Sequence, residues 1–166
     1  MISDTSINVA CTLIPVQGYH LLLPNHCISE VLMCSNIEDY HSPSHWCIGQ
    51  VPWMHEKRPI VSFEKLEANI QLANKKKSII IILQLPTSGS GPGSQSSNNE
   101  MFHFGLLANR IPQVVQANEQ SLDREINPTN PHHYAMSYVM INGKPALIPD
   151  IQRIAKLLQK QVRKTA

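Results

Sequence analysis

The feature that most constrains the fold is a series of short apolar segments separated by turn residues, and the clearest pair lies near the C-terminus. Residues 134–141 and 144–148 flank Asn142 and Gly143, the residue pair typical of a type I′ hairpin turn. About ten such segments occur, roughly every 8–12 residues, which is the spacing of a β-sandwich or small barrel. Strands and helices do not alternate, so the pattern argues against nucleotide-binding α/β folds.

Two further strand pairs are predicted in the middle of the chain. Residues 46–63 contain both tryptophans and indicate two strands around a charged turn at residues 55–58. The β-branched run at residues 78–85 predicts a buried central strand, and residues 101–108 predict its partner. Between these two, residues 87–99 are rich in Ser and Gly and predict a flexible loop.

A single helix is predicted at the C-terminus. Asp150 is a suitable N-cap, and basic residues in the last turns suit the negative helix end. The predicted buried face consists of the apolar residues that recur at helical spacing, namely Ile151, Ile154, Leu157, Leu158 and Val162. With a flexible N-terminus over residues 1–8, the pattern predicts one domain over residues 9–163.

Composition limits the possible functions. With 42% hydrophobic residues, the 166-residue chain can form a globular core. The net charge is only +2 and the aromatic residues lie apart from the basic clusters, so no nucleic-acid partner is predicted. No run approaches the roughly 18 apolar residues of a membrane span, so no direct membrane insertion is expected. Four cysteines without CxxC spacing, and no export signal, predict a cytoplasmic protein with reduced thiols.

Residues capable of chemistry are present, but no familiar catalytic pattern frames them. The sequence has no phosphate-binding loop, nucleophile signature or convincing pair of acids, so we predict no catalytic site and no enzyme. An alternative function is a small zinc- or ligand-binding β-barrel module, since Cys34, His41, His45 and Cys47 lie within 14 residues and are zinc-ligand types. Their spacing is unusual, however, and a buried cysteine also packs as a small apolar residue.

A possible contact surface is indicated by Ile28, Glu30, Val31, Trp53 and Met54. In one interpretation the apolar residues belong to the core and Glu30 to the surface. In the other they form a partly exposed apolar patch, with Trp and Met as the anchors of a protein interface. The residues alone favour neither interpretation.

Four blocks of the chain together resemble the CheW-like domain, and within it the divergent adaptors of type IV pilus chemosensory systems (PilI/ChpC-like). The first block contains Ile28, Glu30 and Val31, which are similar to a V-x-E-I segment of the family. In the later blocks Gly49, Pro59 and Gly105 fall on family positions. The order and spacing of the blocks carry the resemblance, and they cover residues 13–31, 46–64, 104–115 and 147–154.

The resemblance implies a mainly β fold of two intertwined five-stranded SH3-like β-barrels with a C-terminal helix. It also implies a non-enzymatic adaptor without a cofactor, which couples the cytoplasmic tip of a chemoreceptor to the regulatory domain of a CheA-like histidine kinase. A type IV pilus or twitching motility system is the expected setting. The residues expected to bind partners are Ile28, Glu30, Val31, Trp53, Met54, His55 and Arg58.

The chain departs from the family pattern at this predicted site. The Arg-Gly pair of the family signature falls on Met54 and His55, so a receptor-contacting arginine is replaced by an apolar side chain. Arg58 is near in sequence but is expected to lie beyond the turn. Asn109 stands where the family has an acid. These changes predict a partner surface that is more apolar than in other family members.

Overall fold

The computed structural model describes residues 7–42, 44–68, 70–72, 77–87, 100–123 and 127–165, with side chains through residue 163. Its elements follow the predicted order of short strands and one long terminal helix. They are β1 (Val9–Pro15), β2 (His20–Pro24), a 3-10 turn (Asn25–Cys27), β3 (Ile28–Cys34), β4 (Cys47–Trp53), β5 (Glu56–Val61), α1 (Phe63–Glu67), β6 (Ser78–Pro86), β7 (Met101–Ala108), β8 (Gln113–Ala117), β9 (Leu122–Asp123), β10 (Ala135–Ile141), β11 (Lys144–Pro149) and α2 (Ile151–Thr165).

The strands form two curled sheets, which confirms the mainly β class. The first sheet has the order β8-β1-β2-β11-β10-β9, and the second has the order β3-β6-β7-β5-β4. Most neighbours are antiparallel, but β2 with β11 and β5 with β7 pair in parallel. The first sheet has six strands where five were expected, because the two-residue strand β9 pairs with β10 at its edge.

Three apolar clusters form the core. One belongs to the first sheet and another, containing Ile80 and Ile82, to the second. The largest lies between the sheets and α2 and contains Ile81 and Leu83. Neighbouring residues of β6 therefore contribute to two clusters, because successive side chains of a strand point to opposite faces. This double burial explains why β6 is apolar along most of its length.

Gly105 in β7 allows a close approach inside the second sheet. A Cβ atom at this position would lie 2.7 Å from Cγ2 of Ile80 and 3.2 Å from Cγ1 of Ile60. Both isoleucines are fully buried, so the cluster has no room for even a methyl group here. The packing gives a physical reason for a glycine at this point of the strand.

Two buried carboxylates of α1 connect the two sheets. Glu64 is 4% exposed and accepts hydrogen bonds from the backbone N–H of Gln17 at 2.9 Å and from the Ser62 hydroxyl at 2.9 Å. Glu67 accepts from the backbone N–H groups of His133 at 2.7 Å and Tyr134 at 2.5 Å. Because Gln17 and Tyr134 lie beside strands of the first sheet, these bonds fix its position relative to β5 and α1.

Helix α2 begins as predicted, at an Asp150 cap. The carboxylate of Asp150 accepts a hydrogen bond from the backbone N–H of Arg153 at 3.0 Å. Of the predicted buried face, Ile151, Ile154 and Leu158 are buried and Leu157 is half-buried. The assignment of Val162 to this face is wrong, since Val162 is 46% exposed. The core ends about one turn before it.

Two predicted flexible segments fall largely outside the described residues, namely 1–6 of the N-terminus and 88–99 of the Ser/Gly-rich loop. On either side of the loop, β6 and β7 pair in the predicted antiparallel manner, from Ile79 opposite Ala108 to Pro86 opposite Met101. Within the described part of the chain, no helix is both long and apolar enough to cross a bilayer.

Candidate protein-interaction site

The β4–β5 hairpin turns at Met54 and His55. Trp53 pairs with Glu56, so these two residues form the whole loop. Their φ angles are +46° and +65°, which corresponds to the left-handed backbone of a type I′ turn. The predicted turn at residues 55–58 is wrong, since Glu56 to Arg58 already belong to β5. The shift leaves the Met54 side chain at the tip, where it is 71% exposed.

Trp53 joins the two edge strands of the second sheet. Its indole Nε1 donates a hydrogen bond to Oε2 of Glu30 on β3 at 2.6 Å. Strands β3 and β4 lie at opposite edges of the sheet, so this bond shows that the sheet curls until its edges approach each other here. The Trp53 ring also packs against the cluster that contains Ile60 and Ile80. Trp53 is therefore both a core residue and a half-exposed surface residue. Both interpretations of the sequence, core packing and a partly exposed apolar patch, apply to it.

Arg58 and His103 lie beside the Trp53 ring. The guanidinium carbon of Arg58 is 5.9 Å from the ring centroid, and the His103 ring on β7 is 4.8 Å away at an angle of 46°. Nη2 of Arg58 forms an ion pair with Glu56 at 2.6 Å. The buried Nε of Arg58 and Nδ1 of His103 have no hydrogen-bond partner within the described residues.

The burial of His103 and its charged neighbours keep its imidazole neutral near pH 7. Burial lowers its pKa, the positive charge of Arg58 lowers it further, and Glu56 opposes these effects only partly. The base of the hairpin is thus a packed group of Glu30, Trp53, Arg58 and His103, carrying the exposed Met54 and His55 at its end. We call these six residues the hairpin surface.

Ile28 and Val31 lie apart from the hairpin surface. Ile28 is half-buried and packs against the large central cluster. Val31 is 44% exposed and lies on the opposite face of β3 from Glu30, on the same face as Met33, which is 66% exposed. The structure therefore brings together five of the seven predicted partner-binding residues, and these are Glu30, Trp53, Met54, His55 and Arg58.

Sequence reasoning missed His103. It is a polar residue in an otherwise apolar strand, and its alternation with Phe102 and Phe104 places it on the face of β7 that carries Gly105 and Leu107. That pattern was the available signal. The contact of His103 with Trp53 could not be predicted from this pattern, because it depends on the parallel pairing of β7 with β5.

The alternative zinc site is wrong. The thiol of Cys34 donates to the backbone oxygen of Asn36, and a ring nitrogen of His45 is bonded to the backbone oxygen of Lys65 at 3.0 Å. Cys47 is buried in the central core, where burial raises the pKa of its thiol. Across the described ranges, no three His, Cys, Asp or Glu side chains are grouped so that they could hold a metal ion.

The two curled sheets and the terminal helix define the chain as a small, mainly β domain of the β-barrel class. The CheW-like domain family matches residues 11–159, which is nearly the whole chain. The chain therefore belongs to the CheW-like domain family. No curated protein sequence matches it.

A solved structure with a similar fold is that of the scaffolding protein TtCheW from Thermoanaerobacter tengcongensis. The TM-score is 0.65 at 14% sequence identity, and the alignment covers 86% of this chain and 89% of that chain. Proteins of the CheW-like family are non-enzymatic scaffolds of chemotaxis signalling, and by its membership in the family the chain is a scaffold of this kind.

Proposed function

We propose that this scaffold couples the cytoplasmic tip of a chemoreceptor to the regulatory domain of a CheA-like histidine kinase, in the cytoplasm, and that the hairpin surface contacts one of these partners. Ile28 supports this surface by anchoring the start of β3 in the core, and Val31, on the other face of β3, is proposed as a separate partner contact. Membership in the CheW-like family supports the general role.

The observation that carries the proposal is the position of Met54. Its side chain is 71% exposed at the end of a two-residue turn, and the turn rests on the packed group around Trp53. Methionine, tryptophan and arginine are enriched in protein interfaces, where a few anchors supply most of the binding energy. An exposed apolar tip on an ordered base is a suitable anchor because the turn and the side chains beneath it are already ordered, so binding has to immobilise only the Met54 side chain itself.

We further propose that the chain works in a type IV pilus chemosensory system that controls twitching motility. The support is the resemblance to PilI/ChpC-like adaptors, together with Met54 and His55 in place of the Arg-Gly pair of the family signature. Deletion of the gene is expected to reduce twitching while swimming chemotaxis stays normal. Normal twitching in the deletion strain would remove this setting from the proposal.

The coupling role is tested by titrating the kinase regulatory domain, and separately a receptor-tip fragment from the same genome, into the wild-type protein and a Met54→Glu variant. We expect Met54→Glu to weaken binding of one partner by about tenfold or more, because a charge replaces a buried anchor at the interface. Isothermal titration calorimetry measures the change in Kd.

Met136→Glu is a matched control. Met136 is 69% exposed, as Met54 is, but lies on β10 of the first sheet. The control is expected to bind within about twofold of the wild type, since it makes the same chemical change away from the hairpin. Equal affinity of wild type and Met54→Glu for both partners would contradict the assignment of the hairpin surface.

A further inference from the structure

The basic charge of this protein is concentrated in α2. Residues 1–150 contain nine Lys and Arg against twelve Asp and Glu, whereas residues 151–166 contain five basic residues and no acid. The body of the protein is thus net negative and the terminal helix strongly positive, although the sum is only +2. The basic residues of the helix segment are Arg153, Lys156, Lys160, Arg163 and Lys164.

Four of these residues form one stripe along the helix. Arg153, Lys156, Lys160 and Arg163 are spaced by three or four residues, and all four are exposed, on the side away from the buried Ile154 and Leu158. With a rise of 1.5 Å per residue, the stripe is about 15 Å long. We call these four residues the basic stripe.

The helix dipole does not account for the basic stripe. Cations are favourable near the C-terminal end of a helix, but Arg153 and Lys156 lie in the first half of α2, where the dipole disfavours them. Nor do internal ion pairs account for it. The ion pairs formed within the described residues involve other cations than Lys156, Lys160 and Arg163.

Arg153 is held in place at one end of the stripe. Its Nη1 donates to the backbone oxygen of His133 at 2.9 Å, and its guanidinium carbon lies 4.9 Å from the centre of the Tyr134 ring. The other end of α2 is attached to the segment between β3 and β4, because the Ser42 hydroxyl donates to Oε1 of Gln161 at 3.1 Å. The positive charges are therefore presented on a helix fixed at both ends.

An apolar groove runs beside the stripe. Leu85, Pro86 and Phe102, from the ends of β6 and β7, line one side, and Gln152, Lys156 and Gln159 of α2 line the other. Lys156 thus belongs both to the groove and to the basic stripe. An object lying in the groove would contact apolar side chains on one flank, and on the other flank Lys156 and two glutamines next to the rest of the basic stripe.

We propose that the groove and the basic stripe bind an amphipathic acidic helix of a partner protein, with its apolar residues on Phe102 and Pro86 and its carboxylates on Lys156, Lys160 and Arg163. Carboxylates repeating every three or four residues match the spacing of the stripe. This contact is distinct from the hairpin surface and does not depend on it.

Other occupants fit the surface less well. An amphipathic helix binds a lipid surface by inserting its apolar face, but Ile151, Ile154 and Leu158 of α2 are buried in the core. Helix α2 contains no aromatic residue on which a nucleic-acid base could stack. Residues 88–99 contain no acid and so cannot supply the carboxylates.

The test uses a labelled synthetic peptide of 18 residues composed of Glu, Leu and Ala, with Leu and Glu on adjacent helical faces. A scrambled peptide of the same composition and vesicles containing phosphatidylserine are the comparison probes. Fluorescence anisotropy measures peptide binding to the wild type and to a Lys156→Glu/Lys160→Glu variant, and flotation measures vesicle binding. Circular dichroism checks that each variant is folded.

We expect the double variant to bind the helical peptide at least about tenfold more weakly, since each exposed ion pair contributes a few-fold in Kd and reversal adds repulsion. Binding to the wild type should weaken as salt is raised. The control Arg110→Glu/Lys144→Glu makes the same change in net charge at β11 and in the connection between β7 and β8, and it should bind within about twofold of the wild type. The Met54→Glu variant should also bind normally, which separates this proposal from the coupling role.

Three results would overturn the proposal. The first is unchanged binding by the Lys156→Glu/Lys160→Glu variant. The second is equal binding of the scrambled peptide, which would indicate a general attraction for acids. The third is stronger binding to the vesicles than to the helical peptide, which would identify a lipid surface as the partner.

Discussion

At the scale of single residues, Trp53 has two roles at once. Its ring covers the cluster that contains Ile60 and Ile80, while its indole N–H bonds to Glu30 on the opposite edge strand. A ring held by packing, a hydrogen bond and a neighbouring guanidinium has few alternative positions. The residues that reach solvent at the hairpin, Met54 and His55, are therefore supported by side chains that are already ordered before a partner arrives.

His103 makes the stability of this group depend on pH. Its pKa lies below the ordinary value for histidine because of burial and the Arg58 charge, with Glu56 opposing. Between the lower pKa of His103 in the folded chain and its pKa of about 6.5 in the unfolded chain, the unfolded chain binds more protons. The contribution of His103 to the free energy of unfolding is therefore fully present above pH 6.5 and is lost as the pH falls through this range. Urea unfolding at pH 7 and pH 5 measures this loss.

The His103→Gln variant isolates that contribution, since glutamine is polar and does not titrate. We expect the wild type to lose more unfolding free energy between pH 7 and pH 5 than the variant does. An equal loss in both proteins would mean that the imidazole does not interact with its surroundings as described.

At the scale of elements, the two type I′ hairpins of the chain use different residues for the same backbone geometry. The β10–β11 turn has Asn142 at φ +48° and Gly143 at +75°, residue types that adopt this conformation readily. The β4–β5 turn has Met54 and His55 in the same region, which methionine adopts rarely and histidine more often than most other residues. This strain is consistent with a turn whose residues serve contact more than stability.

Replacing the strained pair tests this interpretation. The variant Met54→Asn/His55→Gly is expected to raise the free energy of unfolding by about 1–2 kcal/mol, because the left-handed conformation costs roughly that much per unfavourable residue. The greater entropy that glycine gives the unfolded chain offsets part of this gain. The same variant should bind its partner more weakly, since the Met54 side chain is lost. Urea unfolding and calorimetry measure the two effects.

The reciprocal variant Asn142→Met/Gly143→His is the control on the other hairpin, and it should lower stability without a comparable effect on binding. A loss of stability in Met54→Asn/His55→Gly would contradict the assignment of strain to the β4–β5 turn.

The success of sequence prediction differs between elements for physical reasons. The Asn142-Gly143 hairpin, β6 with β7, and α2 were predictable because turn residues, β-branched runs and helical spacing act locally. The Met54 turn was misplaced because charge suggested a loop at residues 55–58, whereas strand pairing determined the register. The hydrogen bond between Trp53 and Glu30 depends on the curvature of the whole second sheet, which a local sequence pattern cannot predict.

At the scale of the whole molecule, the two sheets are held as one scaffold by packing and by buried acids. Glu64 and Glu67 each accept two hydrogen bonds, and one bond from each reaches backbone beside the first sheet. The central cluster fills the space between the sheets and α2. A scaffold needs separate surfaces in a fixed relation, and the hairpin surface and the basic stripe are two such surfaces on different elements.

The most direct test of the central claim, that the hairpin surface is where a signalling partner binds, is amide chemical-shift mapping of the labelled protein with the unlabelled kinase regulatory domain and then with the receptor-tip fragment. One of these partners is expected to cause its largest shifts in residues 53–58 and in the Trp53 indole N–H. Saturating binding of both partners with those signals unchanged, and with shifts confined to other parts of the molecule, would contradict it.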